Sequence, residues 1–130
     1  MQAAYCSLYC ALELIPSTDS ILVDARFHLL ECISLSKEYS RLWNSIYWNG
    51  SRACVKRNMK QRLNHVAFDA YSSLLECGKC LDKYQAQYIL LHGNHPPVWW
   101  NRMMFQLNRG AELMHREHRE QIYKRQLNLI

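Results

Sequence analysis

The stretch from Val55 to Cys77 decides the fold, and it reads VKRNMKQRLNHVAFDAYSSLLEC. Apolar residues return in it at intervals of three or four, which places their side chains on one face of an α-helix. Neither glycine nor proline interrupts this stretch. We therefore predict one long helix here, closed by Gly78 as a left-handed cap.

Helix-breaking and helix-capping residues on either side of this stretch predict where the other helices begin and end. Pro16 ends a first helix, because its ring disfavours the helical conformation in the residue before it. The polar residues 17–20 offer N-caps for a second helix. After Gly78 we expect a shorter helix, a loop over residues 92–97 and a last helix that begins near Val98. No β-type alternation persists, so the chain is predicted to be all-α.

The composition is that of a folded domain. Of the 130 residues, 49% are hydrophobic, 12% aromatic and 21% charged, so we expect a single domain over residues 1–130, a bundle of four to six helices. No apolar run is long enough to cross a bilayer. The apolar first fifteen residues lack a basic start and a small-residue cleavage pattern, which predicts a nuclear or cytoplasmic protein that is not secreted. Its six cysteines are then expected to be reduced thiols or metal ligands.

A Cys-x-x-Cys pair suggests a structural zinc ion that would stabilise the bundle. Cys77 and Cys80 stand three positions apart, and the last helix carries His115 and His118 at the same spacing. Two thiolates and two imidazoles form a zinc ligand set, and we prefer these four residues. A second choice replaces the histidines by His92 and His95, provided that the helix between the pairs breaks. Packing in the core is the alternative role for Cys77 and His118.

The basic residues predict contacts with an acidic partner. The net charge is +5 and the pI is near 9.0, which favours nucleic acid. Two helical rows of cations are expected to contact phosphates, with a solvated surface as the alternative for each. The rows contain Arg52, Lys56, Arg57, Lys60 and Arg62 on the long helix, and Arg102, Arg109 and Arg116 on the last helix.

Adjacent tryptophans suggest a surface for a protein partner. Trp99 and Trp100 begin the last helix, and two neighbours in a helix cannot both point fully inward. We expect one of them to contact a host protein. A protein adaptor that binds through this surface is therefore an alternative function.

The central part of the chain resembles the accessory nonstructural proteins of some parvoviruses. The shared residues, in short matches within residues 47–107, are Tyr47-Trp48, Asn58-Met59-Lys60-Gln61, Leu74-Leu75, Leu81-Asp82-x-Tyr84 and the Trp99-Trp100 region. The resemblance implies a protein without catalytic activity that supports viral genome replication and viral RNA processing in the nucleus. Its partners would be nucleic acid, a host nuclear protein or both.

A second resemblance is to the flavin-dependent sulfhydryl oxidases, which are small helical bundles with a Cys-x-x-Cys pair beside the flavin. Trp43-x-x-x-Tyr47 precedes Cys77-x-x-Cys80, and Leu107-Asn108 follows Trp99 on a later helix. This resemblance implies FAD as cofactor and thiol oxidation as activity. Met104 and Phe105 stand in place of the family's flavin-contacting His-Asn pair. The predicted function is therefore the non-enzymatic viral type, with the oxidase as the enzyme alternative.

Overall fold

The computed structural model describes residues 2–47 and 53–126, and the side chains within 4–46 and 57–120. In these ranges the chain forms four helices and no strand, which confirms the all-α single-domain bundle. The helices are α1 (Gln2–Leu14), α2 (Ser20–Tyr47), α3 (Ala53–His92) and α4 (Val98–Gln126). None of the helices in the described ranges carries the long apolar stretch that crossing a membrane requires.

The connection between α1 and α2 is fixed by two polar side chains. The Asp19 carboxylate accepts a hydrogen bond from the backbone N–H of Ile21 at 2.8 Å, so it caps the start of α2 as the sequence predicts. Arg26 Nη1 donates to the carbonyl oxygens of Leu12 and Ile15 at 2.6 and 2.7 Å. Arg26 therefore binds carbonyls at and just beyond the end of α1, where the helix supplies no further N–H donors; the Leu12 carbonyl also accepts from the Ile15 N–H at 3.3 Å.

The predicted helix end at Gly78 is wrong, because α3 continues without a break to His92. The left-handed glycine is instead Gly93, with φ of 71°, and its N–H donates to the carbonyl of Ile89 at 2.8 Å. A glycine within a helix costs only about 1 kcal/mol relative to alanine. Burial of Cys77 and Leu81 on either side of Gly78 outweighs that cost. The predicted loop over residues 92–97 and the start of α4 at Val98 agree with the structure to within one residue.

All four helices contribute to the larger of two hydrophobic clusters, here called the main core. It contains Ala4, Leu8, Ala11, Leu12, Ile15, Leu22, Ala25, Leu29, Cys32, Ile33, Cys77, Leu81, Trp100, Met103, Leu107 and Met114. Helices α1 and α4 approach each other closely at Gly110, where an added Cβ would lie 2.6 Å from Leu8 Cδ2 and 3.2 Å from the Leu8 backbone nitrogen. The missing side chain of Gly110 is thus what allows the two helices to touch.

The second cluster, here called the hairpin cluster, is formed where α2 and α3 pack together as antiparallel neighbours. It contains Tyr39, Leu42, Trp43, Ile46, Leu63, Val66 and Ala67. Tyr5 Oη in α1 lies 2.6 Å from the carbonyl oxygen of Ser36, to which it donates, and 2.7 Å from Ser40 Oγ. This contact holds the start of α1 beside the middle of α2, between the two clusters.

Candidate nucleic-acid interface

The structure separates the four residues predicted as the preferred zinc ligands. Cys77 is fully buried in the main core and Cys80 is partly buried. His115 and His118 of α4 face the ring of Tyr71 of α3, with ring centroids 6.4 and 5.6 Å apart. The two histidines therefore lie level with Tyr71, which is about 9 Å along α3 from Cys77 at 1.5 Å of rise per residue.

His118 has a structural partner in the hairpin cluster. Its Nδ1 lies 3.2 Å from Tyr39 Oη, whereas His115 is exposed. Among the residues with described side chains, no three of His, Cys, Asp or Glu are grouped so that they could hold one metal ion. The preferred ligand set thus does not fit a zinc ion in this arrangement, and zinc binding stays a prediction.

The second-choice ligands are separated by the uninterrupted α3. From Cys80 to His92 the helix rises about 18 Å, which is too far for ligands that must all lie within about 2.3 Å of an ion. The His92 ring packs on Tyr88 with centroids 4.3 Å apart. His95 is exposed in the loop that follows.

Burial also makes the thiolate forms of the Cys-x-x-Cys pair unfavourable. It raises the pKa of Cys77 to about 12, with smaller contributions from Cys80 and Cys32. The pKa of Cys80 is raised as well, first by burial and then by Asp24 and Glu76. Metal binding and disulfide exchange both use the thiolate. The burial of Cys77 among the main-core residues fits the core role, while zinc binding and thiol oxidation stay predictions.

The basic row on α3 is partly neutralised where it is described. Arg57, Lys60 and Arg62 are exposed. Arg62 Nη2 binds Glu38 Oε1 of α2 at 2.6 Å, so its charge is already paired. Arg52 lies outside the described residues, and so does the side chain of Lys56.

The basic row on α4 carries free charges. Arg102, Arg109 and Arg116 are all exposed, and none of them pairs with a carboxylate among the described side chains. Their spacing of seven residues places them on one face, with about 10.5 Å between neighbours along the axis. The exposed Glu112 lies between the last two arginines and reduces the local charge. This row is the described surface best suited to phosphate contacts.

Phe105 is a surface residue on this same face that the sequence prediction missed. Its side chain is 61% exposed, and Arg102 and Arg109 stand three residues before and four residues after it. A shallow groove of about 370 Å³ beside it is lined by Leu14, Asn101, Arg102, Phe105 and Gln106. The signal in the sequence was its position, since Phe105 falls between the core residues Met103 and Leu107 and must point away from them.

The two adjacent tryptophans differ in exposure, as the sequence predicts. Trp100 is only 5% exposed and stacks on Tyr84 with centroids 5.9 Å apart. Trp99 is partly buried and lies 6.2 Å from the same ring. Trp100 belongs to the main core, so a partner contact at this pair would be made by Trp99, and that contact stays a prediction. Of the two side chains, that of Trp99 is the more exposed to solvent.

No known protein family, curated protein or solved structure matches this chain significantly. The resemblances to parvoviral accessory proteins and to sulfhydryl oxidases accordingly stay predictions.

Proposed function

We propose that this protein is a non-enzymatic accessory protein of the viral nonstructural type, which acts in the nucleus of a host cell by binding nucleic acid. The observation that carries the binding proposal is the row of exposed, unpaired arginines 102, 109 and 116 on the outer face of α4. The net charge of +5 adds attraction at longer range. The viral and nuclear parts of the proposal are supported by the resemblance within residues 47–107.

The physical basis of binding is the neutralisation of phosphates. Each arginine that contacts a phosphate releases condensed counterions, so the affinity falls as the salt concentration rises. Guanidinium groups suit this role because they remain charged and can donate two parallel hydrogen bonds to one phosphate. Such contacts carry little sequence information by themselves. The α4 row therefore predicts salt-dependent binding with weak sequence preference.

The test is a titration of a labelled oligonucleotide, followed by fluorescence anisotropy at several salt concentrations. Replacing arginines 102, 109 and 116 together by glutamine removes up to three phosphate contacts. The slope of log affinity against log salt should flatten by up to about 2 to 3, since each contact contributes about 0.7 to 0.9. The affinity itself should fall for every sequence tested.

A matched control separates the position of the charge from its amount. Arg41 on α2 and Lys79 and Lys83 on α3 are exposed and lie on other helices, so replacing them by glutamine lowers the net charge equally. Arg41 and Lys79 are paired with Glu38 and Glu76, unlike the arginines of the α4 row. The control should retain most of the affinity and the slope. Equal losses in both triple variants would show that only net charge matters, and the α4 interface would be rejected.

A second candidate function is a protein adaptor, for which the sequence predicted a contact at Trp99 and Trp100. A different surface, an apolar stripe on the outer face of α2, favours this function in the structure. Val23, Phe27 and Leu30 stand four and three residues apart and are all exposed. An adaptor should bind its protein partner equally well in the presence of excess unrelated nucleic acid. Loss of partner binding under that competition would favour the α4 interface instead.

A further inference from the structure

The groove beside Phe105 has the size and the lining of a small binding site. Its volume of about 370 Å³ lies at the lower end of the range of about 300 to 1,000 Å³ that is usual for small-molecule pockets. Leu14, the last residue of α1, and Phe105 of α4 supply its apolar surface. Asn101 and Gln106 complete the lining, which is mostly apolar, and their amide groups are hydrogen-bond donors and acceptors.

The groove lies within the row of unpaired charges. Arg102 lines it directly, and Arg109 stands one turn beyond Phe105 on the same face of α4. An aromatic face between cations is the combination by which proteins hold single strands, since the bases stack and the phosphates meet the charges. A single exposed phenylalanine is common on protein surfaces. Phe105 differs because it lies between two unpaired arginines, which suggests a role in binding.

The shape of this surface favours an unpaired base over a duplex. In a duplex the flat faces of the bases are stacked on one another, so Phe105 could reach only phosphates, sugars or base edges. An unpaired base can turn its face towards the phenylalanine ring and its edge towards an amide group. The amides of residues 101 and 106 can each donate and accept, so they tolerate more than one base.

We infer that the groove formed by Leu14, Asn101, Arg102, Phe105 and Gln106 holds one unpaired nucleobase, stacked on Phe105, so that the protein binds single-stranded nucleic acid in preference to duplex. This inference rests on the proposed function, because the arginines on either side would hold the neighbouring phosphates. It adds a strand preference that phosphate contacts alone do not produce.

The experiment compares a single strand with the duplex of the same sequence, as DNA and as RNA, by anisotropy at one fixed salt concentration. Phe105→Ala should weaken single-strand binding roughly tenfold, as expected for the loss of one base stack, and should leave duplex binding unchanged. Phe105→Trp should keep the single-strand binding of the wild type, because the larger ring still stacks on a base. A 2-aminopurine placed in the strand should lose fluorescence on binding to the wild type but not to Phe105→Ala.

Phe68→Ala is the matched control, since Phe68 is 70% exposed on α3 and has no part in the groove. It should bind both nucleic acids as the wild type does. Equal affinity for single strand and duplex, with no effect of Phe105→Ala on either, would overturn the inference. If the arginine variant still loses binding in that case, the proposed function stands. If the wild type binds no nucleic acid at all, both the inference and the proposed function are wrong.

Discussion

The main core and the hairpin cluster share the two long helices α2 and α3 but differ in what else packs on them. In the main core α1 and α4 contribute, and small residues such as Ala4, Ala11, Ala25 and Gly110 let the helix axes come close. In the hairpin cluster the described buried side chains come from α2 and α3, with Tyr39 and Trp43 as the largest. Close packing of four helices leaves little freedom to adjust. The hairpin cluster is built from α2 and α3, with His118 of α4 beside Tyr39, and can relax more easily towards solvent. Changes of equal size should therefore cost more in the main core.

The largest expected effect comes from a matched pair of leucine truncations. Leu29 in the main core and Leu63 in the hairpin cluster are both fully buried. Leu29→Ala should lower the free energy of unfolding by an amount near the upper end of the usual range of about 2 to 5 kcal/mol. Leu63→Ala should fall near the lower end, because its partly buried neighbours Leu35 and Met59 can move into the space. Urea unfolding measures both, and equal losses would remove the proposed difference between the two clusters.

The next effect probes the contact between α1 and α4. Gly110→Ala should destabilise the protein by about 1 to 3 kcal/mol, the usual cost of overpacking. Its Cβ would lie 2.6 Å from the Leu8 side chain and 3.2 Å from the Leu8 backbone nitrogen, so the Leu8 side chain must shift and the α1 backbone must move back slightly. The better helix propensity of alanine recovers about 1 kcal/mol at most. A melting temperature equal to or above that of the wild type would contradict this close approach.

An alkaline pH should weaken the main core, which contains two buried thiols. Burial raises the pKa of Cys32 to about 11 and of Cys77 to about 12, from an ordinary value of 9.0. Above pH 9 the unfolded chain therefore releases these protons while the folded protein keeps them. The folded state is fully favoured below pH 9 and loses stability as the pH rises, by up to about 1.4 kcal/mol per unit for each thiol.

Urea unfolding between about pH 8 and about pH 10 tests this pH dependence. Cys77→Ala loses one of the two thiols, so its slope of stability against pH should be shallower than that of the wild type. The comparison concerns the slope, because the substitution also removes a buried side chain and lowers stability at every pH. Parallel curves for the two proteins would mean that Cys77 titrates normally and is not held in the core.

The smallest expected effect has the opposite sign and serves as the counterpart of Gly110→Ala. Gly78 lies inside α3, and a Cβ added there meets no atom within 4 Å. Gly78→Ala should therefore raise the free energy of unfolding by up to about 1 kcal/mol. Thermal unfolding followed by circular dichroism measures the gain. A lower free energy of unfolding than that of the wild type would instead indicate the left-handed cap that the sequence predicted at this position.

The sequence alone determined the features that depend on neighbours in the chain. The spacing of apolar residues predicted helices, Pro16 predicted the end of α1, and a polar residue before α2 predicted its cap, which is Asp19. These three predictions were correct because the interactions behind them act within one or two turns of a helix. For the same reason the arginines of α4 could be placed on one face before the structure was known.

Only the tertiary structure decided the features that depend on packing between helices. Gly78 continues the helix because Cys77 and Leu81 gain burial against other helices, which outweighs a weak local preference. The pairing of Arg62 with Glu38 joins residues 24 positions apart, so no local pattern reveals it. The same applies to the groove that places Leu14 of α1 beside Phe105 of α4. The candidate base site exists because two helices distant in sequence meet there.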